Sequence, residues 1–255
     1  MQTGSLVCIG LDSDISLLPK HLLHEANPVF AFNRLIVENT IDYAVAFKPN
    51  LAFYLKDGMR GIDALYQTLE FIPEEIPVII DAKVGDIGNT MDAYVSAFVD
   101  SYCADAITIN PLMGRDVLSS LVNNPDAFGF VLCLTSNPSA SDFLMQDKLD
   151  EKIASLITSY SSRRLGAVVG ATQTTDLQRF RSLMPEQLFL IPGIGAQGGD
   201  LEAVIRYASS TKTNPNILIN SSRGIIFKDK SIDFAKVAKA EAQKLHSEIR
   251  QLLET

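Results

Sequence analysis

The sequence predicts an α/β protein folded as a single (β/α)8 TIM barrel over residues 1–255, and three observations predict it. Short apolar runs recur eight times along the 255 residues. Amphipathic stretches separate most of them. Polar residues gather at the C-terminal ends of several runs, the first and the last included. Continuous rather than alternating apolar character suits parallel strands buried on both faces. An open doubly wound sheet shares this local rhythm, but only closure brings the ends of the first and last strands around one mouth.

Taken in order, the first strand is LVCIGLD (6–12), ending in Asp12. AFNRLIVENTI (31–41) places apolar residues three or four apart and reads as a helix. DYAVAFKPN (42–50) is the second strand, and GIDALYQTLEFI (61–72) the helix after it. PVIIDAKVGD (77–86) is the third, followed by the helical AYVSAFVDSY (93–102), which Asn89 or Thr90 could cap. DAITINP (105–111), GFVLCLTSNP (129–138) and LGAVVGAT (165–172) continue the series. LFLIPGIG (188–195) precedes a Gly-rich turn and the helical LEAVIRYA, and NILINSSRG (216–224) is the eighth strand. From Ser231 the chain runs into KVAKAEAQKLHSEIRQLL, rich in strong helix formers. No linker or low-complexity tract divides it.

Composition sets the outer limits. Hydrophobic residues make up 47% and charged ones 20%, as in a soluble protein with a sizeable core. The net charge of −8 argues against a nucleic-acid partner, while leaving room for a local cationic pocket. Three cysteines are too few and too odd in number for a disulfide framework. No apolar stretch is long enough for a membrane span, and no basic leader precedes the first apolar run, so the cytoplasm is the expected compartment.

The most informative segment is PVIIDAKVGDIGNT. Asp81 and Lys83 are two residues apart on a strand, so both point to one face, and Asp86 follows where the strand gives way to a loop. An ammonium between two carboxylates is favoured in its charged form, which suits a proton donor better than an attacking amine. A salt-bridge network at the barrel rim is the competing reading. In LFLIPGIGAQGGD, exposed backbone N–H groups at the Gly-rich turn and helix start suit a phosphate, and Arg223 in the following NSSRG can offer a fork of donors to it. Turn-making glycines and a surface arginine are the competing reading there. Lys48 ends the second strand, and Ser136 with Asn137 offers short polar groups to an amide or a heterocycle edge. His21 and His24 lack a third ligand at recognisable spacing, so no metal is expected. No histidine ends a strand, and no Walker loop is present.

These residues resemble a known family. DAKVGDIGNT is similar to the DxKxxDIxxT signature of orotidine 5′-phosphate decarboxylases, and PGIGAQGGD with a later arginine is similar to that family's phosphate-binding end. GLD, FKPN and TSNP fall in the family's order, and NPLMGRD and NSSRGI resemble its longer bacterial branch. The resemblance runs from Asp12 to Arg223. It implies decarboxylation of orotidine 5′-phosphate to UMP and CO2, the last step of de novo pyrimidine synthesis, with no cofactor. It implies that Asp12 and Lys48 hold the ribose hydroxyls, that Asp81 sits against the substrate carboxylate, and that Lys83 protonates C6. Asp86, Ile87 and Thr90 would reach into the neighbouring subunit's site of a homodimer. Ser136 would contact the pyrimidine, and Gln197, Arg223 and the backbone near Gly193 and Gly195 would hold the phosphate. Many members of the longer branch carry Arg where this chain has Val84, a position that alternates away from Lys83.

Three other readings share parts of the pattern. A related sugar-phosphate decarboxylase or lyase would use Asp81 and Asp86 to hold Mg2+. A Schiff-base aldolase would need a neutral lysine, which the flanking carboxylates oppose. A phosphometabolite-binding barrel would have no evident need for the Asp–Lys–Asp array.

Overall fold

A computed structural model describes residues 4–170, 174–194 and 200–254. Eight strands run parallel: β1 (Val7–Leu11), β2 (Ala44–Pro49), β3 (Ile79–Val84), β4 (Ala106–Ile109), β5 (Phe128–Leu134), β6 (Leu165–Val169), β7 (Phe189–Ile191) and β8 (Ile217–Ser221). They pair in the order β2-β1-β8-β7-β6-β5-β4-β3. Parallel bridges at Phe47–Val78 and Asn50–Asp81 link β2 to β3. The Phe47 N–H also donates to the Pro77 carbonyl at 3.1 Å. These contacts close the ring, and all eight predicted strands are present.

Two apolar clusters separate the barrel from an open sheet. Cys8, Val45, Ala46, Ile79, Ala106, Phe130, Val168, Leu190 and Leu218 form one small cluster, to which every strand contributes. Only a closed sheet lets every strand feed a single interior cluster. The larger cluster fills the space between the strands' outer faces and the helices. Strand periodicity then carries function. Two residues beyond the apolar interior positions Ala46, Ile79, Ala106 and Leu218 come Lys48, Asp81, Thr108 and Asn220, all buried. The inward row is apolar below and polar at the C-terminal mouth.

Around the barrel lie α1 (Pro28–Thr40), α2 (Leu51–Leu55), α3 (Gly58–Phe71), α4 (Gly88–Val95), α5 (Asp116–Asn123), α6 (Leu149–Thr158), α7 (Thr174–Leu183), α8 (Leu201–Ala208), α9 (Arg223–Ile226) and α10 (Phe234–Glu254). The Asn27 side chain caps α1 by accepting from the Phe30 N–H, with Pro28 in the first turn. The stretch 93–102 is not one regular helix, because α4 passes into a π-helical turn at Ser96–Ser101. Neither Asn89 nor Thr90 caps α4. The helix starts earlier, at Gly88, so both fall within its first turn, and Ile87 before it makes no side-chain cap. Among the described residues no helix is long and apolar enough to cross a membrane.

Candidate active site

The polar ends of the strands line a cavity of about 380 Å³ at the C-terminal mouth. Asp12, Lys48, Asp81, Lys83, Ser136, Gly193 and Arg223 all face it. Chain order scatters these residues over two hundred positions, and closure gathers them.

Asp81 is the hub. Lys48 Nζ donates to its Oδ2 at 2.7 Å, and Lys83 Nζ donates to its Oδ1 at 2.5 Å. Thr108 Oγ1 donates to the same Oδ1 at 2.8 Å. Burial alone would raise the Asp81 pKa, but the two ammoniums overcome it and hold the carboxyl well below the usual carboxylate range. For Lys48, burial pulls the pKa down, yet the neighbouring Asp81 and Asp12 carboxylates leave it above its ordinary value. Lys48 is 5% exposed at its side chain and Lys83 48%, so one ammonium is enclosed and the other is presented to the cavity.

The backbone at Lys83 is unusual. Its φ of 50° is left-handed, a conformation costing a non-glycine residue about 1–2 kcal/mol. The β3–β4 register shifts between Ile80 and Val84, so the strand bulges there. The Lys83 N–H, turned out of the ladder, donates to Thr108 Oγ1 at 2.9 Å. Simple alternation places Asp81 and Lys83 on one face correctly but does not reveal this bulge. Val84 packs against the outer core, on the side away from the cavity.

Asp86 is not where the Asp–Lys–Asp reading placed it. Among the described residues it makes no ion pair with Lys83. Its Oδ1 accepts from the Ile87 N–H at 2.8 Å instead, because the chain has already turned toward α4. Ile87, 49% exposed, and the exposed Thr90 lie outside the residues lining the cavity.

Asp12 and Asn220 each present a buried Oδ1 that no described protein donor reaches. Both line the cavity, so each is an acceptor for a hydroxyl or an N–H of a ligand. Behind Asp12 a buried polar network steadies the end of β1. Ser13 donates to Asn33, whose amide donates to Tyr54 and Thr68, and the Tyr54 hydroxyl donates to the Leu11 carbonyl.

On the opposite side, a side chain at Gly170 would collide with the Ser136 backbone at 2.8 Å. Glycine there lets the loop after β5 lean over the end of β6 and carry Ser136 to the cavity. Gly193 adopts a φ of 99° and lines the cavity after β7. Arg223 opens α9, exposed and without a carboxylate partner among the described residues. Gly195 and Gln197 lie outside the described residues, as do Gly198 and Gly199 of the expected phosphate turn. Asp200 caps α8 by accepting from the Ala203 N–H at 3.2 Å, so that N–H already has an anionic partner.

Neither Thr108 nor Asn220 was singled out from sequence. The signal was present: Thr108 is the polar residue inside the apolar strand AITI, and Asn220 with Ser221 ends the apolar run of ILINS. Among the described residues no group of three or more His, Cys, Asp or Glu side chains could hold a metal ion. His21 and His24 lie exposed on one turn.

A closed ring with its charged side chains at the C-terminal mouth defines a (β/α)8-barrel enzyme. Within that class, the sequence profile of the Orotidine 5′-phosphate decarboxylase / HUMPS family matches residues 5–238, and the chain belongs to that family. It is 39% identical to the orotidine 5′-phosphate decarboxylase of Phocaeicola vulgatus, over 98% of this chain and 94% of that protein. Its fold superposes on Leishmania donovani OMP decarboxylase with a TM-score of 0.83 at 33% identity, covering 98% of this chain and 94% of the other. Leishmania donovani UMP synthase gives the same TM-score at 36% identity over 96% of this chain, which spans 54% of that longer chain.

Proposed function

We propose that this chain decarboxylates orotidine 5′-phosphate to UMP and CO2 as one catalytic domain without a cofactor. The observation that carries the reading is the Lys48–Asp81–Lys83 chain at the mouth, in a member of this family. As the C6–carboxylate bond breaks, its electron pair stays on C6 and CO2 leaves. The ring delocalises that charge poorly, so a fixed ammonium beside C6 supplies the stabilisation. Lys83 then gives a proton to C6 and recovers one from solvent. Asp81 is kept ionised by its two ammoniums and sits against the substrate carboxylate.

The other roles follow position. Asp12 and Lys48 take the ribose hydroxyls, with the free Oδ1 of Asp12 as an acceptor. Ser136 meets the pyrimidine edge. Arg223 and the backbone at Gly193 take the phosphate, together with Gly195 and Gln197. Binding energy from that remote phosphate is available to assemble the site around the reacting carbon.

Asp86, Ile87 and Thr90 serve a second copy of the chain in this reading, which makes the enzyme a homodimer with shared sites. Their placement outside the chain's own cavity and the exposure of Ile87 support it. The reading keeps the cytoplasm as compartment, in line with three unpaired cysteines.

The test is the ultraviolet absorbance change of orotidine 5′-phosphate with purified protein in EDTA. Rapid conversion to UMP is expected. No conversion by a folded protein sinks the reading and moves the substrate to a sugar phosphate, with Mg2+ added next.

A further inference from the structure

Thr108 sits 1% exposed in the middle of β4, with its hydroxyl between the two parts of the site that must be placed relative to each other. It accepts from the Lys83 N–H at 2.9 Å and donates to Asp81 Oδ1 at 2.8 Å. A hydroxyl has one proton and two lone pairs, so this arrangement fixes its direction: the proton points to the carboxylate and a lone pair meets the amide. We infer that Thr108 is a positioning residue for decarboxylation, acting as the clamp that holds the Lys83 backbone in its left-handed bulge and aims the Asp81 carboxylate. The inference rests on the functional reading above.

A bulged residue loses its place in the strand ladder, and its N–H needs another partner. Lys83 finds that partner on the neighbouring strand rather than in solvent, so its Cα is tied to β4. Its ammonium is tied independently to Asp81 Oδ1 at 2.5 Å. The same Asp81 oxygen receives the Thr108 hydroxyl. Backbone, ammonium and carboxylate therefore close a small ring through one threonine oxygen, and the direction of the ammonium into the cavity depends on that ring. The methyl group and Cβ of threonine fill the buried space whether or not the oxygen is there, so packing and positioning can be separated by substitution.

Thr108→Val keeps the shape and removes both hydrogen bonds. The expected result is a fall in kcat on the order of 10²-fold, the scale of a misplacement of about 1 Å at a reacting centre. KM for orotidine 5′-phosphate and Kd for UMP should stay within about threefold, because phosphate and ribose contacts lie elsewhere. Thr108→Ser should recover kcat to within a few fold, which a purely structural role of the side chain would not require. Thr108→Cys, a weak donor and acceptor of similar size, should show the same kcat loss as valine and stands in for it if valine prevents folding. A folded Thr108→Val or Thr108→Cys enzyme with wild-type kcat overturns the inference, as does a serine variant no better than valine. Wild-type protein inert toward orotidine 5′-phosphate is a separate outcome: it removes the functional reading on which the clamp rests.

Discussion

Asp81 at the mouth and Asp150 in the outer layer are both buried carboxylates held by basic side chains, yet the two networks are built in opposite senses. Asp81 is shared by two ammoniums, Lys48 and Lys83, so the bonded trio has one cation in excess, with Asp12 as the further carboxylate near Lys48, and it faces a cavity. In the outer network a single guanidinium, Arg179 on α7, serves three carboxylates: Asp150 at 2.7 Å, Glu151 at 3.0 Å and Asp176 at 3.0 Å. With Lys148 also 3.7 Å from Glu151 at the exposed edge, that group carries one surplus negative charge and pins α7 to the start of α6. Burial works against the guanidinium, but Asp150 and Asp176 hold it even further above its usual range. Its plane also lies over the Phe180 ring at 4.5 Å. An ion network becomes a candidate for chemistry when it has charge left over and a space to point it into. Where every cation is consumed between packed helices, it is a fastener.

The largest effect that follows is at Lys83. Lys83→Ala removes the surplus charge but leaves Asp81 paired with Lys48 and Thr108. Turnover should fall by at least about 10³-fold, the scale for loss of a preorganised charge together with the proton donor. Folding stability should change by no more than about 1 kcal/mol, since a half-exposed ammonium contributes little to it, and UMP binding should remain measurable. Calorimetry and product titration on the same sample check this. A folded variant keeping a tenth of wild-type turnover would break the distinction at its catalytic end.

Arg179→Ala is the mirror experiment. Asp150, 2% exposed at its side chain, loses its counter-charge, and removing one partner of a buried pair costs about 3 kcal/mol. In a chain of this length the thermal midpoint should fall by about 6–12 °C. At 25 °C, where the variant remains folded, kcat and KM should stay within about twofold of wild type. An unchanged melting temperature, or a specific loss of kcat, would show that the outer network is not the fastener described.

How far the sequence foretold these two networks shows what sequence patterns can carry. The eight strands were legible because each is a continuous apolar run, and Asp81, Lys48 and Arg223 were legible because each ends one. Pairing Asp86 with Lys83 was not, since spacing along a strand does not show where the chain turns off it. Thr108 and Asn220 went unread because their strands look uniformly buried, and only the closed ring shows that these positions face the mouth. The outer network depends on Arg179 meeting residues 28 and 29 positions earlier across a helix–helix contact. No local periodicity encodes that distance. Val84 packs against the outer core, as alternation from Lys83 predicts, although the bulge just before it is not visible in the sequence.

The smallest expected effect concerns pH and separates the roles of Asp81. Its folded-state pKa is depressed, so the stability it contributes is present above the unfolded value near 3.9 and is lost as pH falls through the folded value. Lys48 is shifted upward, so its contribution is present below its ordinary 10.5 and is lost as pH rises through its folded value. Between about pH 4 and pH 10 both groups are charged in the folded and unfolded chains, and the pair adds a constant amount. Asp81→Asn should therefore be less stable than wild type by about 2 kcal/mol at neutral pH, because it leaves Lys48 buried without its counter-charge. That gap should be flat from pH 5 to 8 and shrink below about pH 4, as urea midpoints at pH 3, 5 and 8 would show. Acid loss of activity above pH 5 would then have to come from another group, the substrate phosphate included. A gap that narrows between pH 8 and 5 would mean that Asp81 takes up a proton there. The mouth would then no longer hold its carboxylate ionised across the range in which the proposed reaction needs it.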